Sequence, residues 1–69
     1  MLDVRVIRRK LGFTQRQFAE KLCIPLATLR DWEHGRGHTD PAVQALLRIL
    51  DKIPEPALHA LDDPARKPD

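Results

Sequence analysis

Residues 14–35 read TQRQFAEKLCIPLATLRDWEHG. Two short helical patterns flank a break, and that break decides the fold. Thr14 is an N-cap, and Gln17, three residues on, can reach back to complete a capping box. Phe13 and Phe18 stand at the two positions of a hydrophobic staple. The spacing predicts a helix over about 15–22 that buries Phe18, Ala19 and Leu22. "CIP" ends it, because Pro25 disfavours helical geometry at Ile24 yet fits the first turn of a following helix. A second helix is expected over about 26–34, with Leu29 and Trp32 inward, and Gly35 stops it. Two helices of this length joined by so short a turn form a helix-turn-helix unit over about 14–34.

On the N-terminal side, "VRVIRRKLG" sets Val4, Ile7 and Leu11 on one apolar stripe, and Gly12 follows as a left-handed stop. On the C-terminal side, Asp40-Pro41 is an N-cap followed by a first-turn proline. The helix it starts, "AVQALLRILDKI", has seven apolar residues among the nine from Ala42 to Leu50. That is too many for one stripe, so this helix is expected at the buried centre or with a second face against a partner. "PEPALHALDD" predicts a short fifth helix with Ala57, Leu58 and Leu61 on its apolar side. The expectation is one all-α, five-helix domain over 1–62, and a flexible tail over 63–69.

Sixty-nine residues bury only about 60% of the surface that the unfolded chain exposes, so a deep substrate pocket is hard to build. A domain this small without staples gains from pairing, and the surplus apolar residues of helices 4 and 5 place a homodimer contact there. The single Cys23 cannot form an internal disulfide. Neither a signal-like run nor an apolar stretch of about 18 residues occurs, which makes cytoplasmic location the default and excludes a membrane role. Cys23, His34 and His38 lack the paired cysteines of a structural zinc site, so neither metal nor cofactor is expected. The chain has no Ser nucleophile, and Asp31 and Glu33 face different sides of one helix. Nothing points to an enzyme. Charge points elsewhere: residues 1–37 hold eight Lys/Arg against four Asp/Glu, whereas 38–69 hold four against six. A basic front half suits a polyanion, although the same arginines could simply be a solvated face.

"LGFTQRQFAEKLCIPLATLRDWEHGR" resembles the Cro- and lambda-repressor-like helix-turn-helix domains, the xenobiotic-response-element type. The resemblance runs over about residues 4–61. Its last part, "DPAVQALLRILDKIPEPALHAL", is similar to antitoxins of the host-inhibition-of-growth (HigA-type) toxin–antitoxin pairs. The family implies a five-helix lambda-repressor-like domain that binds double-stranded DNA as a homodimer on a palindromic operator and represses transcription. It also implies roles for particular residues. Thr14 and Gln15 would hold backbone phosphate at the start of helix 2. Leu26, Ala27, Thr28, Arg30 and Asp31 would meet the major groove, and His34, Arg36 and His38 would grip phosphate beyond it. Arg8 and Glu33 would form a partly buried ion bridge.

The chain departs from the family pattern at two places. Cys23 stands where Gly is usual, and left-handed geometry there costs a non-glycine residue about 1–2 kcal/mol. Leu26 and Ala27 replace amides, which leaves thymine-methyl contact to them and guanine reading to Arg30, unless Arg30 is solvated or paired with Asp31. Asp31 itself could accept from a cytosine amino group. Three other roles stay open: a toxin-neutralising protein that binds a protein toxin, a prophage Cro-like repressor, and a dimerisation module without DNA binding. Longer relatives carry an extension ahead of helix 1, so residues preceding Met1 stay open as well.

Overall fold

The computed structural model describes residues 1–62, and the tail expected over 63–69 lies outside the described residues. Five helices make up the described part: α1 (Val4–Lys10), α2 (Gln15–Leu22), α3 (Leu26–Glu33), α4 (Pro41–Lys52) and α5 (Pro54–Leu61). The all-α, five-helix architecture is the expected one.

Local chemistry sets the helix ends. The α2 capping box is complete: the Gln17 amide donates to Thr14 Oγ1 at 3.1 Å, and the Thr14 amide donates to Gln17 Oε1 at 3.0 Å. Phe13 and Phe18 stack beside it with ring centroids 5.9 Å apart. Asp40 caps α4 by accepting the Val43 amide at 2.8 Å. Asp3 caps α1 by accepting the Arg5 amide at 2.9 Å, a role the sequence reading passed over. The C-termini of α1, α2 and α3 share one device. In each, a left-handed residue follows the helix and the next amide donates back five residues: Phe13 to the Arg8 carbonyl, Ile24 to Ala19, Arg36 to Asp31. This is the Schellman closure. Gly12 and Gly35 supply the left-handed residue for α1 and α3, at φ 80° and 73°. Cys23 supplies it for α2 at φ 59°, so the expected geometry is kept without the glycine.

Val4, Ile7, Phe18, Ala19, Leu29, Leu47, Leu50 and Ala57 form the core, with every helix contributing. Burying a Phe or Leu as completely as Phe18, Leu29, Leu47 and Leu50 contributes about 1.5–3 kcal/mol each. α2 packs on α3, α4 on α5, and α1 bridges α3 and α4. Leu22, expected to be buried, is half-buried at the rim of this core, as are Leu11, Trp32, Leu58 and Leu61. Polar ties fix the register. The Gln44 side chain accepts the Leu2 amide at 2.8 Å and donates to the Leu2 carbonyl at 3.1 Å. Lys10 donates to Asp51 at 2.7 Å, and Lys21 pairs with Asp62. α4 is not buried all round: Ile49, and Ile53 at its C-cap, are 48% and 53% exposed.

Candidate nucleic-acid interface

α3 has one face committed to the core by Leu29, with Trp32 and Glu33 on either side of it. At 100° per residue the opposite face carries Ala27, Arg30, Asp31 and His34, and all of these are exposed. Leu26 and Thr28 lie on the two flanks and are half-buried, with Leu26 packed against the core. Of the residues expected to meet a groove, then, Ala27, Arg30 and Asp31 face outward fully. Leu26 and Thr28 do so only at their edges. The α3 N-terminus has no side-chain cap, because Pro25 stands at the cap position. Its first amides therefore have no side-chain cap partner.

Thr14, at the start of α2, is exposed and its hydroxyl is occupied by the capping box. Exposed Arg16 stands beside it, a cation near the helix start that the sequence reading did not single out. Arg36 and His38 are exposed past the end of α3. His34 Nδ1 lies 2.8 Å from the Arg30 carbonyl, which fixes the ring against the last turn of its own helix.

A buried ion network underlies this surface. The Glu33 side chain is wholly inaccessible and the Arg8 side chain is 11% exposed. Arg8 donates to Glu33 Oε2 through Nε at 2.6 Å and to Oε1 through Nη2 at 3.0 Å. Its Nη1 reaches the Phe13 carbonyl at 2.9 Å and so joins the α1–α2 turn to the network. Arg5 adds a bond from Nε to Glu33 Oε1 at 3.4 Å and one from Nη2 to the Glu33 carbonyl at 3.1 Å. Gln15 Nε2 completes the set, donating to Glu33 Oε1 at 3.1 Å. Burial alone would push the Glu33 carboxyl up. Hydrogen bonds from Arg8 and Gln15, the Arg8 charge and the Arg5 bond outweigh it and hold the pKa below the usual Glu range.

The Arg8–Glu33 bridge implied by the resemblance is present, and Arg5 and Gln15 extend it. Arg5 had a signal in the sequence, since it lies three residues before Arg8 on the same helix face. The engagement of Gln15 had none. Its other end accepts Arg30 Nε at 3.3 Å, so Arg30 meets Gln15 rather than Asp31.

The surface is a short helix with an uncovered, mainly polar face, braced from below by ions. A family model described as Helix-turn-helix matches residues 4–57. The chain belongs to that helix-turn-helix family, of the Cro/C1 type. No curated protein and no solved structure matches it. The family is one of DNA-binding domains rather than enzymes, which makes this helix-turn-helix protein a DNA-binding regulator of transcription. Among the described residues no helix is long and apolar enough to cross a membrane.

Proposed function

We propose that the chain is a sequence-specific repressor that binds a palindromic operator as a homodimer, with α3 in the major groove. The uncovered outer face of α3 carries this reading: Ala27, Arg30, Asp31 and His34 are held outward by a helix whose other side is fixed through Leu29 and Glu33. Arg30 is the guanine reader, since a guanidinium matches the O6 and N7 acceptors of that base. Ala27 and the exposed edge of Leu26 meet thymine methyls. Thr28 lies at the groove wall, and Asp31 accepts from a cytosine amino group. Thr14 and Gln15, with their helix start, meet phosphate, as do His34 and Arg36. A bound dimer represses by occlusion and needs no chemistry.

Support for the dimer comes from α4. Ala42, Ala45 and Ile49 are spaced three and four apart and share one side of that helix, and Ile53 caps its end. Ile49 and Ile53 are half-exposed, and α5 packs on this helix. Two-fold pairing on a palindromic operator requires the two recognition helices to lie one turn of DNA, ~34 Å, apart. The same apolar residues favour a second reading, in which a protein toxin covers them and the repressor doubles as its antitoxin. Co-purification with a small toxin encoded beside it separates the two.

Selection of bound DNA from a random pool tests the main reading. A palindrome with half-sites ~34 Å apart is expected. With three to four phosphates held per protomer, binding should fall with salt at a log–log slope of about −5 to −7. Arg30→Ala is expected to relax sequence preference at one base pair per half-site, at a cost of about 1–3 kcal/mol. An unchanged preference in that variant removes α3 as the reader.

A further inference from the structure

The contact between Gln15 and Arg30 has a direction imposed from inside the protein, and its consequence rests on Arg30 reading a base as proposed above. The ionised Glu33 carboxylate has acceptors only. The end of the Gln15 amide that faces it must therefore be the donor, and Nε2 stands there at 3.1 Å. A flipped amide would set oxygen against oxygen next to a buried charge. With the flip closed, Oε1 is committed to the other side, where it accepts Arg30 Nε at 3.3 Å.

A guanidinium carries its five N–H donors in one rigid plane. Occupying Nε from the protein side leaves both Nη groups free along the far edge, the edge that pairs with O6 and N7 of guanine. Arg30 is otherwise exposed on the outer face of α3. We propose that Gln15 is a positioning residue for Arg30: its amide, oriented by Glu33, holds Nε and turns the Nη edge toward the groove. Ordering a long side chain before binding removes part of the entropy that the complex would otherwise lose. Specificity at this base pair then depends on a residue of α2 and on the buried carboxylate behind it. A Gln15 that served phosphate alone would act on every DNA sequence alike.

The test uses the full chain in four forms, wild type, Gln15→Met, Arg30→Ala and the double variant, on the selected operator and on operators changed at the Arg30 base pair. Gln15→Met is expected to lower the preference for the selected pair by about fivefold to tenfold. It should take most of the Arg30→Ala loss and add little in the Arg30→Ala background. Equal weakening of all operators by Gln15→Met, fully additive with Arg30→Ala, overturns the proposal. So does a preference that Arg30→Ala abolishes and Gln15→Met leaves intact. If Arg30→Ala leaves the preference untouched, the base-reading role falls and takes this inference with it. Nitrogen NMR of the wild-type protein without DNA checks the clamp separately from that role and from any instability of the variants. The Arg30 Nε–H should exchange with water more slowly than that of the exposed Arg36, and equal exchange overturns the clamp.

Discussion

Cys23 holds φ at 59°, the left-handed region in which a Cβ crowds the following carbonyl. The strain of about 1–2 kcal/mol exceeds the 0.5–1 kcal/mol by which glycine's freedom favours the unfolded chain. Cys23→Gly should therefore raise stability by about 0.5–1 kcal/mol, read from thermal unfolding followed by Trp32 fluorescence. Glu33 carries far more. Removing its carboxylate by Glu33→Ala leaves Arg8 nearly buried without its counter-charge, at a cost of about 3–5 kcal/mol. A domain of this length has about 3–10 kcal/mol in all, so the variant should be largely unfolded or close to it, as far-ultraviolet circular dichroism would show. The same group sets an acid limit. Its pKa is lower in the folded than in the unfolded protein. Its contribution is therefore complete above the unfolded value of about 4.3 and is lost as pH falls through the lower folded value. Wild-type stability should drop across that acid range more steeply than in Glu33→Gln, whose neutral side chain does not titrate.

At the scale of helices, the Thr14–Gln17 capping box fixes where α2 begins, and Ala19 fixes how closely α3 crosses it. Thr14→Ala should cost about 1 kcal/mol of stability by removing the hydroxyl that accepts the Gln17 amide. Ala19 is 3% exposed between the two helices. Ala19→Leu overfills that crossing, at a cost of about 1–3 kcal/mol. It should also tilt α3 against the Glu33 network and so weaken operator binding beyond the loss of stability, which titration at a temperature where the variant is folded would reveal. The Schellman closure common to α1, α2 and α3 explains how such short helices stop without fraying into their turns. The carbonyls that each helix would leave open are answered by its own next residues.

For the whole molecule, α4 gives one side to the core through Leu47 and Leu50, while Ile49 and the capping Ile53 stay at the surface. Ile49→Lys together with Ile53→Lys should leave the monomer fold intact, since neither side chain is in the core. On the proposed pairing through this face, it should also shift the protein toward monomer in sedimentation equilibrium and weaken operator binding through loss of the paired half-site. Unchanged association in that variant would rule out the proposed pairing through α4. The basic front half acquires a place as well. Arg5 and Arg8 turn inward to Glu33, while Arg16, Arg30 and Arg36 stay at the surface around α3. The net charge of the first half therefore overstates how many cations face DNA.

The helices and their limits were legible from the sequence, because caps, staples, prolines and stop residues act within about five positions of one another. Thr14 with Gln17, Asp40 with Pro41, and the stops at Gly12 and Gly35 are of this kind. The family was legible too, since its motif lies in one continuous run. Tertiary structure alone decided which outward residues are free and which are held. Gln44 reaches Leu2 across 42 positions, Arg5 reaches Glu33 across 28, and Gln15 meets Glu33 across 18. Periodicity assigns a side chain to a face of its helix, but not to the neighbour that face will meet. The Glu33–Gln15–Arg30 chain exists because packing α2 on α3 brings an acceptor-only carboxylate, an amide and a guanidinium into line.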